Sequence, residues 1–304
     1  MVNAMYDFFV EEAARINNIE RFDYKQDLFD SLMEADNIRS YVNNIFIIES
    51  ISEVNIISSI YELLKKAFGA IIKAIGTFCG KLKSLFSKDK KIIEAAEKAS
   101  KMPETEEMKK KEEESTAEYT VHSVRDSDRK NALSLAEKVS VDEIYDYATK
   151  HKSSDGLDEY ILNKVDTFRS NRYVLAAEYT YFPKVAQKYS LSEAKANTHA
   201  FTDQLRELGF FNLNFDKKSK KALDAELAAA KAHSKSLDET NKADYYSACF
   251  NRFSIYKREI FRGITNSMIA EYKELKKVLT AIGAGYLDMA TDLNRDPEPP
   301  HFND

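Results

Sequence analysis

Between residues 56 and 86 the apolar positions Ile57, Ile60, Leu64, Ala67, Phe68, Ile71, Ile75, Phe78, Leu82, Leu85 and Phe86 recur every three or four residues. At 100° per residue they fall on one continuous face, which predicts a strongly amphipathic helix. The opposite face carries Glu62, Lys65, Lys66, Lys73, Lys81, Lys83 and Lys88, with Gly69, Gly76 and Gly80 near its middle. Each glycine costs a helix interior about 1 kcal/mol relative to alanine. Their place on the polar face therefore predicts either close approach by a partner or a helix that forms fully only once bound.

The same period organises much of the remaining chain. Met5, Phe8, Phe9, Ala13 and Ile16, then Phe22, Leu28, Phe29, Leu32 and Met33, predict short helices in residues 1–54, and the apolar run 45–48 is read as helix from its context. Residues 87–120 are almost all charged, small or polar. They predict a solvated helix or a linker broken at Pro103, and hence a domain boundary. Beyond it, Ser140 with Glu143 and Ser190 with Glu193 have capping-box spacing. Gly209 reads as the residue closing a helix, residues 210–215 as a short extended connector, and the alanine-rich stretch 217–235 as helix. From Phe250 to Leu293 apolar residues again step by three or four. That spacing predicts a single spine of roughly 65 Å, a helix shared with another subunit, or two helices broken near Gly263 or at Gly283, Ala284 and Gly285. Pro297, Pro299 and Pro300 exclude its continuation. The expected fold is all-α, divided into an acidic helical segment (1–54), the basic amphipathic helix (55–88), a charged linker (89–120) and a helical domain (121–304) ending in a long helix.

Composition agrees, with charged residues at 31% and only 8 glycines and 5 prolines in 304 residues. The net charge of −5 gives no whole-chain case for nucleic acid. Its distribution is uneven: residues 1–54 hold 4 Lys/Arg against 11 Asp/Glu, whereas residues 55–91 hold 8 against 2. Cys79 and Cys249 both lie in apolar helical patterns, which predicts buried free thiols. The first residues lack a basic stretch followed by an apolar one, so no secretory signal is expected. The longest weakly charged span, residues 67–80, falls short of the about 20 apolar residues a bilayer crossing needs. Lying in a membrane interface is left open.

Candidate chemistry is sparse. His122, His151, His199, His233 and His301 are dispersed, without metal-ligand spacing, and no glycine-rich phosphate loop occurs. Carboxylate pairs such as Asp142 with Asp146 read as solvated helix faces, and the aromatic set Tyr179, Tyr181 and Phe182 as core. No catalytic residues, metal, cofactor or small-molecule substrate are expected. The amphipathic helix is the candidate binding element, with three readings. Its apolar face packs on helices of its own or a sister chain. Alternatively, Ile60, Leu64, Phe68, Ile71, Ile75, Phe78 and Leu82 enter a membrane while Lys65, Lys66, Lys73, Lys81 and Lys83 meet headgroups. In the third reading, the least favoured, the lysines meet nucleic-acid phosphates.

Two stretches carry a resemblance. Tyr6, Asp7, Phe8, Phe9, Val10, Glu11, Glu12, Ala13 and Ala14, followed by Leu63, Leu64, Lys65, Lys66, Ala67, Phe68, Gly69, Ala70, Ile71, Ile72 and Lys73, resemble virion proteins of large tailed bacteriophages. In those proteins an acidic helical start precedes a Lys/Ile/Phe segment, a charged spacer and a helical body. The resemblance covers the first third of the chain and implies a structural or internal virion protein, present in the host cytoplasm during assembly, whose partners are other virion proteins, itself or a membrane surface. It also implies maturation cleavage after Glu two positions beyond an aliphatic residue, a pattern found at Glu34, Glu49, Glu94 and Glu193. An oligomeric scaffold acting through the long last helix, or a DNA-condensing internal protein, is the alternative within that class.

Overall fold

The computed structural model describes residues 60–106, 109, 110, 114, 116–164, 186–238 and 243–292. The helices expected in residues 1–54, the run 45–48, the aromatic set at 179–182, the proline tail, and Glu34 and Glu49 lie outside the described residues.

As the period predicts, the described chain is all-α apart from one small ladder. Its elements are α1 (Ile60–Lys88), α2 (Lys90–Ser100), β1 (Tyr119–His122), α3 (Asp126–Ser134), a 3-10 turn (Leu135–Glu137), α4 (Val141–His151), α5 (Leu157–Lys164), β2 (Ala186–Tyr189), α6 (Leu191–Ala196), α7 (Thr198–Asp238) and α8 (Ala243–Asp292). β1 and β2 pair antiparallel, Tyr119 opposite Tyr189 and His122 opposite Ala186. Four residues a side are too few for alternation to announce a strand.

α8 is the axis of the molecule. It runs unbroken for 50 residues, about 75 Å at helical rise, through Gly263, Gly283 and Gly285. It touches α1, α2, β1, α4, α6 and α7. Between Phe250 and Ile282 it is buried on nearly every side, so its polar groups need internal partners. Thr265 and Ser267 donate back to the carbonyls of Arg262 and Gly263. Lys257, Glu271 and Lys276 pair with charges on surrounding segments. Of the alternatives for this stretch, the break near Gly263 or at Gly283 to Gly285 is not found; Gly285 instead makes room for packing, since a Cβ there would stand 3.0 Å from Leu191 Cδ2, where α6 crosses.

α1 and α7 complete a bundle with α8. Phe68 meets Phe253 and Phe86 meets Tyr272, so α1 runs parallel to α8. Asn212 donates to the Cys79 carbonyl at 3.0 Å and Phe86 sits by Gly209, so α7 runs antiparallel to α1. Two expectations fail on α7. Gly209 does not end a helix, and residues 210–215 are not extended. Leu208, Phe211 and Phe215 are buried three and four residues apart, and their helical period prevails over the apparent alternation with Asn212 and Asn214.

Residues 89–120 do not separate two cores either. α2 buries Ile92, Ala95, Ala96 and Ala99, and buried residues on both sides of it join one cluster. The lysines and glutamates masked a narrow stripe of small residues at helical spacing. Past Ser100 the described residues up to 118 are mostly exposed, and there the solvated reading holds, with Pro103 just after the end of α2. Both capping boxes form: Ser140 and Ser190 accept from the backbone of Glu143 and Glu193, whose carboxylates accept in return.

Candidate interaction surface

α1 divides its two faces between core and solvent. Ile60, Leu64, Phe68, Ile71, Ile75, Phe78 and Leu82 are all buried, none exposed by more than 7%. Phe68 packs edge-on against Phe253 with centroids 6.0 Å apart. In this structure these side chains meet the protein's own α7 and α8, so the apolar half of the proposed binding set is occupied from within. No described helix is long and apolar enough to cross a membrane.

The basic half faces outward. Lys65, Lys66, Lys73 and Lys83 are exposed and Lys81 is half-buried. Lys88, Lys90 and Lys91, also exposed, carry the basic strip around the corner into α2. Carboxylates temper it, among them Glu62 at 3.4 Å from Lys65 and Glu94 at 3.7 Å from Lys90. Gly69 and Gly80 open outward, since a Cβ on either would meet nothing within 4 Å, whereas Gly76 faces Asp216 of α7 at 3.7 Å. The outer surface of α1 is therefore smooth as well as basic.

No family model, curated protein or solved structure matches the chain. Its chemistry is read from its own residues.

Several charged groups form ties within the interior. Asp89, the single residue between α1 and α2, is buried, holds Lys276 Nζ at 2.6 Å and accepts from the Tyr272 hydroxyl. Arg129 of α3 is fully buried and pairs with Glu271 and, at 3.2 Å, with Glu207, while Gln204 donates to Glu271 at 3.0 Å. Lys257 reaches Glu226 at 3.0 Å and the Ala136 carbonyl; burial pushes its ammonium below the usual lysine range, against the opposing pull of Glu226. Each tie fastens another segment to α8. None presents a nucleophile beside a base.

His122 Nδ1 lies 2.7 Å from Glu274 Oε1, and its backbone N–H donates to the same carboxylate, which docks β1 on α8. His233 pairs with Asp142 at 2.7 Å and stacks on Tyr145, tying α7 to α4. Among the described residues no group of three or more His, Cys, Asp or Glu could hold a metal ion. Cys79 and Cys249 are free, buried thiols. An open cleft of about 310 Å³ between α3 and α7 is lined by Lys130, Leu133, Glu207 and Phe211. Asp126, Asn214, Lys218 and Phe210, the last 68% exposed, also line it, and Asp126 is engaged by Lys130 at 2.5 Å.

Two of the cleavage patterns fall on described elements. Glu94 lies within α2 and Glu193 serves the capping box of α6.

Proposed function

We propose that this protein is a non-enzymatic structural or internal component of a virion of the tailed-phage type, and that it docks through the lysine face of α1 onto an acidic surface of a neighbouring subunit. The observation that carries this reading is the division of α1, with seven apolar side chains in the core and Lys65, Lys66, Lys73 and Lys83 outside. Magnitudes favour docking over insertion into lipid. Burial of seven large apolar side chains contributes on the order of 10–20 kcal/mol, comparable with the about 5–15 kcal/mol net stability of a whole domain. Withdrawing α1 to bury that face in a bilayer would also uncover α7 and α8. A basic, smooth helix face needs no such rearrangement to meet carboxylates.

Oligomerisation through α8 has less support, because between Phe250 and Ile282 the apolar face it would use is covered by the protein's own helices.

Retention on immobilised poly-L-glutamate, a stand-in for an acidic protein surface, tests the reading. The full chain is expected to bind at low salt and elute as salt rises, and a Lys66→Glu/Lys73→Glu/Lys83→Glu variant should pass through. Equal retention of both, or preference of the wild type for duplex DNA or phosphatidylglycerol vesicles over poly-L-glutamate, would remove this assignment.

A further inference from the structure

We propose that the outward face of α7 is a second docking surface, independent of α1, and that it takes an acidic helical segment of a partner protein whose bulky apolar side chain enters the cleft beside Phe210. The side of α7 turned to the core buries Leu208, Phe211, Phe215, Ser219 and Leu223, three or four residues apart. The side turned away carries Phe210, Leu213, Lys217, Lys220 and Lys221, all exposed, in a stripe about 16 Å long at helical rise. Phe210 is 68% exposed and Leu213 47%, and among the described residues these are the large apolar side chains that stand in solvent. They lie one turn apart on one helix, which makes them a patch rather than scattered apolar surface.

Charge and shape together select the occupant. Lys217, Lys218, Lys220 and Lys221 follow the patch and are exposed. Among the described residues none of the four has an ion-pair or hydrogen-bond partner. The acids on this stretch of α7 are Asp216, half-buried beside Gly76, and Asp224, exposed beyond the lysines, so the stripe keeps a positive excess that calls for an anionic partner. Beside the patch opens the cleft of about 310 Å³, with Leu133, Phe210 and Phe211 as its apolar wall and Asn214 and Lys218 as donors. Its own carboxylates are engaged, Glu207 by Arg129 at 3.2 Å and Asp126 by Lys130 at 2.5 Å. A phosphate backbone would be repelled by those acids, and a flat lipid surface would leave the cleft unfilled. An acidic helix meets both features: one apolar residue enters the cleft against Phe210 and Leu213, and its carboxylates reach the lysines one and two turns beyond Leu213.

Fluorescence anisotropy of the full chain tests the assignment near 0.15 M salt, where the screening length is about 8 Å and charge without an apolar anchor holds little. The probe is a labelled helical peptide of glutamates bearing one phenylalanine and, four residues on, one leucine. Wild type is expected to bind it at least tenfold more tightly than the same peptide with both apolar residues replaced by alanine. Phe210→Ser should abolish that preference, and Lys217→Glu/Lys221→Glu should weaken binding of the apolar peptide at least tenfold. Equal affinity of wild type for the two peptides, or a preference that survives Phe210→Ser, would overturn the proposal. Tighter binding of single-stranded oligothymidylate or of phosphatidylglycerol vesicles would also overturn it, as would a dimer in light scattering that Phe210→Ser dissolves. The Lys66→Glu/Lys73→Glu/Lys83→Glu variant should bind the apolar peptide like wild type. Loss of binding in that variant would move the peptide to α1, overturning the α7 site and leaving the docking role of α1 in place.

Discussion

Lys276 Nζ lies 2.6 Å from Asp89 Oδ1, and both side chains are almost fully removed from water. Asp89 joins α1 to α2, so this pair holds the corner between them on the axis helix. Removing one partner of a buried pair strands the other charge, at about 3–5 kcal/mol. Asp89→Ala is expected to lower stability by that amount in urea unfolding. An Asp89→Asn/Lys276→Met double variant should recover much of the loss, because no lone charge remains. A cost below about 1 kcal/mol for Asp89→Ala would show that the corner is held by packing alone.

The glycines of the two bundle helices should respond in opposite directions. Gly69→Ala and Gly80→Ala enter open space on a helix exterior and are each expected to stabilise the protein by about 0.5–1 kcal/mol. Gly285→Ala would drive a methyl to 3.0 Å from Leu191 Cδ2 and should cost about 1–3 kcal/mol. Thermal melts of the three variants would reveal the contrast, and destabilisation by both exterior alanines would contradict it.

The thiols give a pH-dependent expectation. Burial, with the nearby Asp216 carboxylate, pushes the Cys79 thiol up out of its ordinary range, and burial pushes Cys249 up to about 11 against the pull of Arg252. Thiolate is the reactive form, so at pH 8 the native protein should leave Ellman's reagent unconsumed and the denatured protein should release two thiols. A folded pKa raised above its unfolded value stabilises fully below the unfolded value, and that contribution is lost as pH rises through the folded one. Stability should therefore fall between about pH 9 and pH 11, and Cys249→Ala should flatten the decline. Wild type and variant with identical profiles would assign the alkaline limb to other groups.

Much of the architecture is legible in the residues, because its signals are periodic. The face of α1, the steps along α8 and the two capping boxes at Ser140 and Ser190 each state their element directly. What was hidden follows from charge used inside the protein. Asp89, Arg129, Lys257, Glu271 and Lys276 look like solvated positions, and only tertiary partners on distant segments make their burial tolerable. The same effect concealed α2, whose core stripe is mostly alanine. At the candidate surface the lysines stand where the helical wheel put them. The wheel identifies an apolar face, but it does not identify what covers that face, and here α7 and α8 do.

The central position of α8 has a consequence for biosynthesis. Contacts such as Phe68 with Phe253 and Asp89 with Lys276 join residues nearly two hundred positions apart, and α8 is translated after every other described helix. Until it leaves the ribosome, the greasy side of α1 lacks the part of its packing surface that α8 supplies, and the nascent chain presents that part to chaperones and to other copies. Assembly of this core is therefore a late event that waits for one helix, and cells making the protein in quantity must keep α1 from finding another partner first.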